Sequence, residues 1–231
     1  MCLYMKPGTL MKTVQLVDRL TEIRLFADLP RDKVDEIVRR VSGCVRRYDK
    51  TAVIVHESVE PKWMFAVLSG VVSIYEPGEN GDRHLIRTVE GGHLFGATLV
   101  TMRLAFYPGM AVAATDCEVA RFDLAKIREL WYDMRYRKFF ENLYAVVSEY
   151  VFYCWRKFSV MACKTTEEKF MRYLNLYARA SGSKDMTLPF SRMEDCAVFL
   201  GVSRASLSPA IGRLEAQGRL KHLGRAHFVL L

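Results

Sequence analysis

The chain has 231 residues, 51% hydrophobic and 26% charged, with 34 Lys and Arg against 26 Asp and Glu, a formal net charge of +8. This composition excludes a disordered, collagen-like or low-complexity chain and fits one or two globular domains. No run of 18 apolar residues is available to span a membrane, and the N-terminus lacks a continuous apolar core and a small-residue cleavage site, so a cytoplasmic protein without a signal peptide is expected. The excess of cations favours a polyanion, nucleic acid or an anionic membrane surface, with a merely basic surface as the alternative. Cys2, Cys44, Cys117, Cys154, Cys163 and Cys196 form no CxxC pair and read as reduced, mostly buried thiols.

Pro30 to Val41 predicts an amphipathic helix with Val34, Ile37, Val38 and Val41 on one face. From Cys44 to about Phe122 short β-rich runs alternate with turn signals: Ala52–His56, Met64–Leu68, Val71–Tyr75, His84–Val89, Ala111–Ala114 and Glu118–Phe122. Asn80-Gly81 is a reversal signal between two of them. Many short strands indicate an antiparallel sandwich or barrel-like roll. Asp123 is placed to cap a short helix through Leu130. A long helix is expected from about Arg137 to Met161, roughly 37 Å at 1.5 Å per residue. Its apolar positions Leu143, Val147, Tyr150, Cys154, Phe158 and Met161 recur in steps of four and three, the requirement of a two-helix seam, which points to a homodimer. The alternative is a helix packed only on its own β-domain. Phe139, Phe140, Val146, Val151, Phe152 and Trp155 make its other faces apolar as well. Thr165 and Glu168 have capping-box spacing for a helix to about Ala180, ended by Ser181-Gly182-Ser183.

The segment from Leu188 to Leu231 is the most informative. Ser191 is placed to cap a helix over Arg192–Leu200, Gly201-Val202 makes a tight turn, and Ser203 caps a second helix running to Gln217. Cys196, Ala197, Leu200, Val202, Leu207, Ile211 and Leu214 fill the interior, leaving Arg192, Ser203, Arg204, Ser206 and Arg213 to solvent. Gly218 ends the second helix, and strands over Arg219–Leu223 and His227–Leu231 form a wing around Gly224-Arg225-Ala226. This pattern matches a winged helix-turn-helix, a geometry suited to placing the second helix in the DNA major groove. Arg204 is placed for a guanine edge or a phosphate and Ser206 for a base or the backbone. Ser191 and Arg192 are placed for phosphate at a helix N-terminus, and Lys221, His222 and Arg225 for phosphate from the wing. Any one of these arginines alone would read as a solvated face.

The chain resembles the Crp/Fnr family of bacterial transcription regulators, relatives of the cyclic-AMP receptor protein and the fumarate–nitrate regulator. The resemblance is carried by Leu25-Phe26-Ala27-Asp28-Leu29-Pro30, by Phe65 to Tyr75 as the family's central β-hairpin, by Gly91-Gly92-His93-Leu94-Phe95-Gly96 before its effector segment, and by Leu200-Gly201-Val202-Ser203-Arg204. It implies an α+β chain with an N-terminal segment (1–20), a cupin-like, cyclic-nucleotide-binding-like β-roll sensor domain (21–134), a dimerisation helix (135–162) and the winged helix-turn-helix (163–231). It implies a homodimer on inverted-repeat promoter DNA, with RNA polymerase as a partner.

The departures concern the effector. Nucleotide-binding members hold the ribose with a Glu and the cyclic phosphate with an Arg-Ser pair; here Gly96 is followed by Ala97-Thr98, and Tyr107-Pro108 replaces the pair. Without its arginine the phosphate loses a charge-assisted fork, so cyclic AMP is not the expected ligand. Cys2 and Cys44 do not make the tight cysteine group of iron–sulfur members. His56, His84 and His93 fit no closed metal site. An effector pocket between roll and long helix would draw on Gly96, Thr98, Arg103, Tyr107, Phe152 and Tyr153, an aromatic lining suited to a small apolar or aromatic effector. The alternative is that the same aromatics fill the cavity of a regulator that needs no ligand, and a redox-responsive regulator is a further form of the same reading. Pro209 stands where the family places a base-reading Arg and predicts a kink or a delayed start of the second helix. Other classes are a nucleotide-binding module acting on a protein partner and a cupin-type enzyme. The first lacks a helix-turn-helix, and no catalytic or metal constellation is assembled for the second.

Overall fold

Leu16, Val17 and Leu20 share one face of helix α1 (Thr13–Thr21) and are buried, which seats α1 on the first core within a segment for which the sequence predicts no element. The structure, a computed structural model, describes residues 13–78, 83–188, 190, 192–224 and 226–231, and it divides into two units, Met1–Ser148 and Glu149–Leu231.

In the first unit, helix α2 (Arg31–Arg40) buries Val34, Ile37 and Val38, and Val41 just beyond it, as predicted. Its first turn carries Asp32 and its last Arg39 and Arg40, complementing the helix dipole. Eight strands follow: β1 (Cys44–Tyr48), β2 (Val53–Val55), β3 (Trp63–Ser69), β4 (Val71–Pro77), β5 (Arg83–Glu90), β6 (Leu94–Phe95), β7 (Met110–Ala113) and β8 (Cys117–Asp123). They form two four-stranded antiparallel sheets, ordered β1-β8-β3-β6 and β2-β7-β4-β5. Phe65 to Tyr75 is therefore not a hairpin. β3 and β4 lie in different sheets, and the chain changes sheet at Gly70, whose φ is +82° and whose Cβ, were there one, would lie 2.3 Å from the Asp116 carbonyl oxygen. The hairpin is β4–β5, with Val72 opposite Val89. Its Asn80-Gly81 reversal lies outside the described residues.

Asp123 caps helix α3 (Leu124–Glu129), accepting from the backbone N–H groups of Ala125 at 3.0 Å and Lys126 at 3.3 Å. Helix α4 (Arg137–Met161) starts within the first core. Phe139 and Leu143 are buried there, Phe139 lies 5.8 Å from Phe26 ring to ring, and Asn142 donates to the Leu25 and Ala27 carbonyls at 3.1 and 2.7 Å. Tyr136 donates to Glu36 at 2.5 Å beneath Lys33, Arg40 and Arg135.

This anchoring corrects the expected seam. Leu143 is turned inward, Val147, Tyr150 and Cys154 are half-buried, and Phe158 and Met161 alone of the predicted stripe are exposed. The face left to solvent runs one position on through Tyr144, Ser148, Val151 and Trp155 and meets the predicted stripe at Phe158, again in steps of four and three. The register of a seam cannot be taken from spacing alone when several faces of a helix are apolar.

In the second unit, helix α5 (Thr166–Ser181) opens with the predicted capping box: Thr165 Oγ accepts from the Glu168 N–H at 3.1 Å while the Glu168 carboxylate accepts from the Thr165 N–H at 3.2 Å. Strand β9 (Asp185–Thr187), helices α6 (Met193–Leu200) and α7 (Arg204–Ala216), and strands β10 (Leu220–Gly224) and β11 (His227–Leu230) complete it. The hairpin is joined by an unpredicted third strand, in the order β10-β11-β9. Phe170, Leu174, Cys196, Leu200, Leu207, Leu214 and Phe228 form its core, with Val202 only half-buried. Cys117 and Cys196 are buried, but the free thiols Cys44, Cys154 and Cys163 are half-exposed, against the expectation of mostly buried thiols. Among the described residues no helix is long and apolar enough to cross a membrane.

Candidate nucleic-acid interface and effector segment

The α6–turn–α7 geometry follows from two residues. Gly201 ends α6 in the left-handed region at φ +63°, which glycine adopts without steric cost. Ser203 then starts α7, its Oγ accepting from the Ser206 N–H at 3.0 Å and lying 2.7 Å from the Ser206 hydroxyl. Helical structure continues from Arg204 through Pro209 to Ala216, so the delayed start does not occur, although Pro209 offers no N–H to the Ala205 carbonyl. Leu207, Ala210, Ile211 and Leu214 face the core, and Arg204, Ala205, Ser206, Ser208, Pro209, Gly212 and Arg213 face solvent. Burial among apolar groups pushes the Cys196 thiol up to about 12, marking it as packing rather than chemistry.

The start of α6 differs from expectation. The helix begins at Met193 with Arg192 as its N-cap, and Arg192 makes no side-chain cap bond. Ser191 lies outside the described residues, as does Arg225. The first turn carries Glu194 and Asp195, and Arg192 approaches Asp195 at 3.6 Å. Arg204 Nε lies 3.3 Å from Glu194 Oε1, and Arg213 donates from Nε at 2.6 Å to Glu167 Oε1. Backbone hydrogen bonding within Glu194 itself and then Arg204 hold its carboxyl below the usual range; Glu167 is lowered in the same way by its own backbone and then Arg213. These acidic partners were missed because they stand ten and 46 residues away in sequence from the arginines they meet.

On the hairpin, Lys221 is exposed, the His222 ring stacks on Phe228 at 4.6 Å, and the His222 backbone N–H donates to Glu215 Oε1 at 3.0 Å. His227 Nε2 lies 2.6 Å from Asp185 Oδ1, tying β11 to β9.

The candidate effector residues are not brought together within either unit. Gly96, at φ +75°, leads into a 3-10 turn over Ala97–Val100 that contains Thr98, and Arg128 fixes this turn by donating to the Leu99 and Val100 carbonyls at 2.6 and 2.8 Å. Arg103 instead lines a shallow cavity of about 290 Å³ with Val100, Thr101, Arg128, Trp131 and Tyr132. Tyr107 is not a free pocket wall. It is buried, its hydroxyl donates to the Trp63 carbonyl at 3.0 Å and accepts from the N–H groups of Trp63 and Lys62 at 2.9 and 3.2 Å, and burial raises its pKa. Beside it Phe65 and Phe95 stack at 4.6 Å. In the second unit Tyr153 packs edge-on against Phe199 of α6 at 5.6 Å, whereas Phe152 is exposed and stacks on Trp155. Among the described residues no group of His, Cys, Asp and Glu is arranged to hold a metal ion.

Residues 45–132 match the cyclic nucleotide-binding domain family. The match spans the strands of the cyclic nucleotide-binding-type roll and α3. No curated protein sequence matches the chain. FixK2 from Bradyrhizobium japonicum shares the fold with a TM-score of 0.57 and 22% identity over 81% of this chain and 92% of that one. A CooA double mutant from Carboxydothermus hydrogenoformans gives 0.61 and 16% over 84% and 85%. CLP of Xanthomonas campestris, described as a c-di-GMP responsive global regulator, gives 0.60 and 16% over 87% and 99%. At these identities the likeness is one of fold.

Proposed function

We propose that this chain is a Crp/Fnr-type transcription regulator, a cytoplasmic homodimer whose α6–turn–α7 module and β10–β11 wing form a winged helix-turn-helix on inverted-repeat promoter DNA. The observation that carries this reading is the capped start of α7, where Arg204 and Ser206 stand exposed beside a Gly201 turn of helix-turn-helix form. The exposed α4 face pairs two copies, and pairing places two α7 helices about 34 Å apart, one turn of DNA, so that both half-sites are engaged. Arg192, Ser203, Arg213, Lys221 and His222, with Ser191 and Arg225, supply backbone contacts, and RNA polymerase is the partner at the promoter. Selection of bound duplexes from a random pool by the purified protein, with sedimentation to give its oligomeric state, tests this. A monomer at micromolar concentration that retains no duplex at low salt overturns it.

Two modes of control stand beside each other. In one, an effector at the Gly96–Thr98 segment shifts the pairing of α4. In the other the protein is active without a ligand, and Tyr107 favours it, since its hydroxyl is already satisfied by the β3 backbone where a nucleotide binder places its phosphate grip. Selection with and without cell extract separates them, and cyclic AMP is expected to leave binding unchanged.

A further inference from the structure

Arg204 and Arg213 are the two long cationic side chains on the exposed face of α7; the exposed positions between them are Ala205, Ser206, Ser208, Pro209 and Gly212. Neither arginine stands free. Glu194, from the first turn of α6, meets Arg204, and Glu167, from the first turn of α5, takes both Nε and Nη2 of Arg213 on one oxygen at 2.6 and 2.5 Å. A carboxylate on a guanidinium at a helix N-terminus occupies the place that a DNA phosphate would take, because the helix amides and dipole favour any anion there. Glu167 is not needed for the cap of α5, which Thr165 and Glu168 make.

We propose that Glu194 and Glu167 are affinity-determining residues of the DNA site: intramolecular stand-ins for phosphate that DNA must displace from Arg204 and Arg213. The proposal rests on the DNA-binding reading above. Binding then exchanges one anion for another at each arginine, and the released carboxylate must recruit a cation. The protein releases about one fewer counterion per pair than its count of phosphate contacts implies. Each pair is partly exposed, so the competition is modest.

The test compares the full-length protein with Glu194→Gln and Glu167→Gln on a selected duplex and a random duplex across a salt series, and adds Arg204→Gln and Arg204→Gln/Glu194→Gln. Each single Glu variant is expected to bind both duplexes about threefold tighter and to steepen the slope of log affinity against log salt by about 0.9. In the Arg204→Gln background the Glu194→Gln effect is expected to fall below about 1.5-fold, since a coupled pair is non-additive. Unchanged affinity and slope, or an effect of the same size with and without Arg204, overturns the proposal while leaving DNA binding intact. A wild-type protein that binds neither duplex overturns the DNA-binding reading and this proposal together. Unfolding midpoints equal to wild type establish that the variants report on binding.

Discussion

The two units treat their polar side chains in opposite ways. In the roll, the side chains near the Gly96–Val100 turn are consumed by the fold: Tyr107 holds the start of β3, and Arg128 holds the carbonyls of Leu99 and Val100. In the second unit the buried cluster is built mainly of hydrophobic side chains, and Arg204, Arg213 and Lys221 lie on the surface. A side chain committed to buried backbone partners is costly to redeploy, whereas one held by an exposed carboxylate is exchanged at little cost.

That contrast can be broken most forcefully at Gly70. Gly70→Ala forces a side chain into the left-handed region and against the Asp116 carbonyl, and is expected to destabilise the first unit by about 3 kcal/mol. Amide exchange should show protection lost over 44–123 and retained over 166–230; loss in both regions would mean that the units do not differ in this way. Arg204→Ala is expected to weaken binding of a selected duplex by about 2 kcal/mol and to relax base preference, while Lys221→Ala should weaken all sequences by a fewfold and lower the salt slope by about 1. Titrations on matched and mismatched duplexes distinguish the two patterns. Tyr107→Phe is expected to cost about 1 kcal/mol of first-unit stability in denaturant unfolding and to leave DNA affinity unchanged.

The smallest effect is one of pH. Lys33, and then the Tyr136 hydroxyl, hold the Glu36 carboxyl at about 2, well below its ordinary 4.5. A depressed folded-state value contributes stability that is complete above about 4.5 and lost as pH falls toward 2. Glu36→Gln should therefore flatten the acid limb of the unfolding curve between those values, with a small loss of stability at neutral pH that disappears as pH approaches 2, as measured by circular dichroism.

What the sequence made legible was local. The Asp123 cap, the Thr165–Glu168 box and the Gly201 turn each depend on residues a few positions apart, and each appears where expected. What it hid was set by distant partners. Leu143 is claimed by the first core, so the exposed apolar face of α4 runs through Tyr144, Val151 and Trp155 instead. β9 is three residues long, too short to carry a period. Tyr107 has the composition of a pocket wall, and only the Lys62–Trp63 backbone facing it shows that its hydroxyl is engaged. The arginines of α7 were legible as exposed; their carboxylates were not, because only the completed turn brings Glu194 to Arg204.

Asn142 reaches back 117 residues to the Leu25 carbonyl, and Phe139 and Leu143 lie in the same core. The strands of the roll are all made by Asp123, yet Asn142 can reach the Leu25 and Ala27 carbonyls only once the chain beyond it has left the ribosome. A nascent chain stalled before that point should be more open to proteases than one stalled twenty residues later, so completion of the roll is timed by the helix that follows it.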